Sequence, residues 1–155
     1  MGMDPEARLA YGYALGTGEK FEVKEAADYG NLSVDWWSED GGGFEEQAWK
    51  RLWDAIPEKP EVEHEWHREE AARKHWGVDI VNSGTYDYPG FILVPTRGES
   101  YRSVEWSESM TLDVGVLRDR PAEMGWDTTL AAALKVLGLT PTQDGPKWLV
   151  FPFYG

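Results

Sequence analysis

Apolar positions recur every second residue in the opening part of the chain, shift to a helical period in the middle, and then alternate between the two. Leu9 to Ala26 reads as a hairpin: Tyr11-Gly12-Tyr13-Ala14-Leu15, a turn at Gly16-Thr17-Gly18, then Phe21-Glu22-Val23-Lys24-Glu25 with Phe21 and Val23 inward. After Asp35-Trp36-Trp37, the run Ser38-Glu39-Asp40-Gly41-Gly42-Gly43 predicts a flexible turn. Phe44 then opens a helical stripe of Phe44, Ala48, Leu52 and Ile56, widened by Trp49 and Trp53, with Glu46, Lys50 and Asp54 opposite and Pro57 beyond its end. A second helix is predicted from about Val62 to His75, entered after Pro60 and closed by Gly77, with Val62, Trp66, Ala72 and Trp76 on its apolar side.

Beyond Gly77 the pattern returns to strands. Val78-Asp79-Ile80-Val81-Asn82 and Phe91-Ile92-Leu93-Val94 predict neighbouring strands, the second more fully buried, joined by a turn-rich loop from Ser83 to Pro89. Further alternation marks strands at Tyr101 to Trp106 and at Met110 to Val116. Asp127 has the character of an N-cap for a last helix with Leu130, Leu134 and Leu137 on its core face and Gly138 as its stop. Trp148 to Gly155 reads as an apolar strand in which Pro152 removes a ladder donor, so it should lie at an edge or lose pairing near its end. The pattern predicts an α+β fold: a mixed or mainly antiparallel sheet of five or six strands with about three helices packed on it, residues 1–155 forming a single domain.

Composition changes this picture at one point. The chain of 155 residues carries 28 Asp and Glu against 15 Lys and Arg, a net charge of −13, yet it holds nine Trp. A surface so charged repels nucleic acid and anionic membrane, while indoles offer large, rigid contact area, which favours a protein partner with a basic surface over direct nucleic-acid or membrane binding. The acidity is densest in residues 1–40, with 9 acids and 3 bases. A hydrophobic share of 41% offsets the charge and argues for a folded chain. There is no Cys, which removes disulfides, thiolate zinc sites and a cysteine nucleophile together. The N-terminal segment has neither a basic nor an apolar targeting region, and no apolar run approaches membrane-spanning length, so a soluble cytoplasmic protein is expected.

Few residues suggest chemistry. The glycines at 16 and 18 lack the third Gly of a dinucleotide fingerprint, and there is no phosphate-loop lysine motif and no nucleophile elbow. No cofactor is expected. His64 and His67 are neighbours on one segment, but His-Glu-Trp-His is one residue tighter than the zinc-protease spacing. His75, about 16 Å farther along a helix, cannot share their ion. A metal at His64 and His67 would need a carboxylate from elsewhere. The aromatic and acidic residues Asp35, Trp36, Trp37, Glu39 and Asp40 border the Gly-rich loop and are candidates for partner contact. Tyr86 and Tyr88 form either a packed corner or a recognition tip.

The segments Tyr11-Gly12-Tyr13-Ala14-Leu15-Gly16, Gly77-Val78-Asp79-Ile80-Val81, Tyr88-Pro89-Gly90-Phe91-Ile92-Leu93 and Lys147-Trp148-Leu149-Val150-Phe151-Pro152-Phe153-Tyr154-Gly155 resemble a group of small acidic proteins encoded by bacteriophages and mobile elements of high-GC Gram-positive bacteria. The resemblance implies a phage-type accessory role, with a host protein bearing a basic surface as the expected partner, and a monomer or small homo-oligomer as the binding unit. A non-enzymatic protein that inhibits or redirects its target, in some cases by standing in for nucleic acid, fits the charge best. Two other classes remain open on the residues alone. One is a small-molecule-binding or metal-assisted hydrolytic protein using His64 and His67; the other is a virion or assembly component.

Overall fold

The computed structural model describes residues 4–155; Met1 to Met3, read above with the N-terminal segment as free of targeting features, lie outside the described residues. Strand β1 (Pro5–Thr17) organises everything that follows. Its alternation sends Tyr11 and Leu15 to one face and Ala10 and Ala14 to the other. The remaining elements are β2 (Ala26–Ala27), β3 (Asn31–Leu32), α1 (Phe44–Asp54), α2 (Trp66–Trp76), β4 (Val78–Thr85), β5 (Pro89–Pro95), β6 (Tyr101–Glu105), α3 (Val114–Met124), α4 (Trp126–Leu137) and β7 (Lys147–Tyr154).

The result is an α+β fold with a five-stranded, mostly antiparallel mixed sheet, a two-stranded β2–β3 ribbon and four α-helices. β1 is long enough to serve three partners. One edge pairs with β7 from Pro5 opposite Tyr154 to Gly12 opposite Lys147. The other edge pairs first with β6, Glu6 opposite Glu105 to Ala10 opposite Tyr101, and then with β5, Tyr13 opposite Leu93 to Thr17 opposite Gly90. β5 pairs with β4, and the end of β4 meets the end of β7 in parallel at Gly84–Phe153 and Thr85–Tyr154. The pairings β1–β5–β4–β7–β1 therefore close a ring.

Two features let β1 curl this tightly. A bulge shifts the register between Ala14 and Gly16. At Gly12 a Cβ would fall 1.8 Å from the Leu93 carbonyl oxygen, so only glycine permits the approach of the two strands. Past the start of β7 the ladder is continued by a side chain: the Gln143 amide donates to the Gly12 carbonyl at 2.8 Å and accepts from the Ala14 N–H at 3.1 Å.

The outer face of the ring carries the main core. Leu52 of α1, Ala72 of α2, and Trp126, Leu130, Leu134 and Leu137 of α4 cover Tyr11, Leu15, Val78, Ile80, Phe91 and Leu93. Aromatic rings knit it: Phe44 lies 4.7 Å from Phe91 and 5.2 Å from Phe21, while Tyr11, Trp126 and Trp148 form a second group at 5.4 to 5.8 Å. The Tyr11 hydroxyl donates to Asp127 at 2.6 Å, and burial together with that carboxylate pushes its pKa up. The inner face holds a small second core of Ala10, Ile92, Val94 and Phe151.

Five expectations change. The strand after the first turn does not form: Phe21 and Val23 are buried as predicted, but each makes only an isolated bridge, to Gly16 and to Pro141, as the chain leaves the sheet. Met110 to Val116 is not a strand; Asp113 accepts from the Val116 N–H at 3.2 Å and caps α3, the helix that raises the count from three to four. α2 begins at Trp66 rather than near Val62, and Trp66 is 68% exposed. On a helical wheel Trp66 lies about 120° from Ala72, whereas Trp76 lies only about 40° from it, so the two indoles cannot share the buried stripe. Asp127 stands inside the first turn of α4, whose cap is Gly125 at φ 65°, and its side chain accepts from Tyr11 instead of capping the helix. β7 pairs along its whole length with β1, and Pro152 sits opposite Ala7, just before β7 acquires β4 on its other edge.

Candidate functional site

At one end of the ring the strand termini bring scattered residues into two adjacent rows. Glu105 of β6, Glu6 of β1, Phe153 of β7 and Gly84 of β4 follow one another across the sheet by direct pairing. One step outward are Trp106, Pro5, Tyr154 and Thr85, and Thr85 leads into the β4–β5 turn with Tyr86, Asp87 and Tyr88. Neighbouring strands lie ~4.8 Å apart, so this rim extends about 15 Å from Trp106 to Thr85.

Its aromatic groups are exposed: Trp106 71%, Tyr86 82%, Tyr88 73% and Tyr154 40%. None of these is needed to close the core, and such a concentration of exposed rings at one end is a feature of contact surfaces rather than of ordinary solvated termini. At the Trp106 end of the rim opens a cavity of about 250 Å³ lined by Asp4, Pro5, Glu6, Glu105, Trp106, Phe153 and Gly155.

Arg8 supports this rim from inside the ring. Its guanidinium stacks 3.8 Å above the centre of the Phe153 ring, donates from Nη1 to the Asn82 carbonyl at 2.8 Å and from Nε to Glu6 Oε1 at 2.9 Å. Tyr101, 5.8 Å from the same guanidinium, has its pKa raised by burial. Arg8 thus compensates Glu6, while among the described residues Asp4 and Glu105 make no ion pair. Carboxylates beside an exposed indole and a phenyl ring form a recess suited to an ammonium or guanidinium group, which gains both charge pairing and a cation–π contact.

The other sequence candidates are spread apart. Tyr86 and Tyr88 belong to the rim. Trp36 and Trp37 are half-buried against the main core; the Trp36 Nε1–H donates to the Leu137 carbonyl at 2.7 Å and the Trp37 Nε1–H to Asn31 Oδ1 at 3.4 Å. The loop beside them is tied by the buried Gln47, which accepts from the Ser38 N–H at 2.9 Å and donates to the Ser38 and Gly42 carbonyls at 2.8 Å. Asp35, Glu39 and Asp40 are exposed on that loop. His64 lies in the turn before α2, its ring 5.7 Å from that of His67. Among the described residues no group of three or more His, Asp or Glu is placed to hold a metal ion. No helix among them is long and apolar enough to cross a membrane.

Trp106, Glu105, Asp4, Glu6 and Phe153 were not among the sequence candidates. Trp106 carried one usable signal: it ends a predicted strand and is followed by Ser107-Glu108-Ser109, a polar stretch that offers an indole nothing apolar to pack on. The others gain meaning only through strand pairing. Comparison with protein-family models, with curated proteins and with solved structures finds no match to this chain.

Proposed function

We propose that this chain is a phage-type accessory protein that binds a host protein through a basic surface and inhibits or redirects it, with the acidic aromatic rim as its contact face. The observation that carries this reading is the recess in which the exposed Trp106 stands with Phe153 beside Asp4, Glu6 and Glu105, on the same rim as the exposed Tyr154, Tyr86 and Tyr88. Aromatic side chains set in a cavity are the usual anchors of a protein interface, and the net charge of −13 steers a basic partner toward the molecule at a rate that falls as salt rises. A lysine or arginine of the partner fits the recess. Where the partner handles nucleic acid, the carboxylates occupy the positions of phosphates.

The test is capture of partners from host lysate at low and near-physiological salt, followed by reconstitution with the purified partner. The reading expects a basic protein whose binding weakens with salt and drops at least about tenfold in a Glu105→Lys/Trp106→Ala variant. Charge reversal at Asp35, Glu39 and Asp40 serves as the control on the other aromatic-acidic stretch. Binding lost with the loop reversal and retained with the rim variant would move the contact face to the loop. No basic partner at either salt would remove the reading.

A further inference from the structure

A second cavity, remote in character from the rim, lies where α2 ends, β5 ends and α4 begins. Its volume is about 240 Å³, and it is lined by Lys74, His75, Trp76, Gly77, Pro95, Arg97, Met124, Trp126 and Thr129. In a chain with 28 acidic residues, none of the lining residues is acidic, while two are fixed cations and one is an imidazole. The ion pairs of the described residues involve neither Lys74 nor Arg97. The C-terminal carbonyls of α2 give Lys74 and His75 a local reason to be there. Arg97 has none of that kind, since it follows β5 on a separate segment and converges on the same cavity.

The walls are as informative as the charges. Trp126 is almost wholly buried and its Nε1–H donates to the Arg97 carbonyl at 2.7 Å, so the backbone that presents the Arg97 side chain is fixed to the cavity floor. The Trp76 Nε1–H is likewise taken, by the Leu52 carbonyl at 2.8 Å. With both indole N–H groups taken, the partly exposed Trp76 offers ring surface rather than a polar edge, the buried Trp126 forms the floor, and Met124 and Pro95 add apolar wall. A recess lined by Trp76, Met124 and Pro95 together with the exposed Lys74, His75 and Arg97 matches an occupant that is flat and apolar at one end and anionic at the other. The volume lies below the roughly 300–1,000 Å³ of drug-sized sites, which limits the apolar end to about one ring.

We infer that this cavity is a binding site for a small aromatic oxyanion, a single ring bearing a phosphate or carboxylate, with the anionic group held by Lys74, Arg97 and His75 and the ring between Trp76, Met124 and Trp126. The site is independent of the acidic rim, and its ligand has the opposite charge.

The experiment is titration of the ¹⁵N-labelled protein with phenyl phosphate, benzoate, inorganic phosphate and benzylamine, followed through the indole Nε1–H resonances of Trp76 and Trp126. A Lys74→Gln/Arg97→Gln variant, altered only at exposed side chains, is titrated in parallel, and its spectrum reports that the fold is kept. The inference expects saturable shifts of these two indoles with phenyl phosphate or benzoate, weakened at least about tenfold in the variant as two charge-assisted contacts are removed. Response to phenyl phosphate alone identifies a phosphate site, and response to benzoate alone a carboxylate site. It is overturned by the absence of saturable shifts with both ring anions, by equal binding in the variant, by an equal response to benzylamine, or by inorganic phosphate binding as well as phenyl phosphate, which would leave the ring without a role.

Discussion

The stretch Asp35 to Asp40 and the rim around Trp106 are made of the same materials, indoles among carboxylates, and the fold puts them to opposite uses. In the first, both indoles turn inward. Trp36 finds a backbone carbonyl at the end of α4 for its N–H, and Trp37 finds Asn31. In the second, Trp106 follows the last residue of β6, the strand at the end of the sheet order, and it is 71% exposed. The difference teaches that an indole becomes part of the core when an apolar wall and an acceptor lie within reach together. Aromatic-acidic composition by itself does not make a contact surface.

The largest break in that comparison is expected from replacing one indole in each region. Trp36→Ala removes packing against Phe44 and orphans the Leu137 carbonyl at the α4 terminus, a loss of about 2–3 kcal/mol given that the ring is only half-buried. Trp106→Ala should stay within about 0.5 kcal/mol of the parent. Urea denaturation of both measures the contrast, and equal losses would mean that Trp106 is a structural residue after all.

Gln47 sharpens the same point for the glycine loop. Gln47→Ala deletes three hydrogen bonds that hold Ser38 and Gly42, and a loss of about 1–3 kcal/mol is expected because one end of each bond is a buried side chain. Amide exchange at Gly41 to Gly43 should accelerate in the variant. Unchanged exchange would show that the loop is ordered by other contacts.

The smallest effect concerns Glu45, whose carboxyl accepts from the Asn82 amide at 2.9 Å. Burial raises its pKa, an effect that the Asn82 hydrogen bond only partly offsets. The folded chain therefore holds this proton to higher pH than the unfolded chain, whose Glu titrates near ~4.3. The favourable contribution is complete below that value and is lost as pH rises through the raised folded pKa. Glu45→Gln should gain on the parent when stability is compared at about pH 4 and about pH 7, with the larger gain at pH 7. The same difference at both pH values would place the carboxyl in water.

Several parts of the fold were legible because they rest on short-range pattern. The stripe of α1, the Leu130-Leu134-Leu137 face of α4 with its Gly138 stop, and the β4–β5 pair all appear where alternation and helical period put them. For Tyr86 and Tyr88 the sequence left a packed corner and an exposed tip both open, and the structure leaves both rings exposed at the β4–β5 turn. Local signals misled where two readings share one pattern. Met110 to Val116 alternates like a strand but contains the Asp113 cap of a helix, and Trp66 was grouped with Ala72 and Trp76 although helical geometry puts it about 120° from Ala72 and leaves it exposed.

Local pattern determined the class of the fold and most of its elements, and composition fixed the net charge and the absence of Cys, because each depends on neighbours in sequence or on composition alone. Tertiary structure decided that β1 closes a ring with β5, β4 and β7, which indoles face solvent, and that Lys74 and Arg97 line one cavity while Glu6 pairs with Glu105. Those outcomes depend on pairing between residues up to the full length of the chain apart, and the register that sets them is a property of the closed sheet rather than of any one strand.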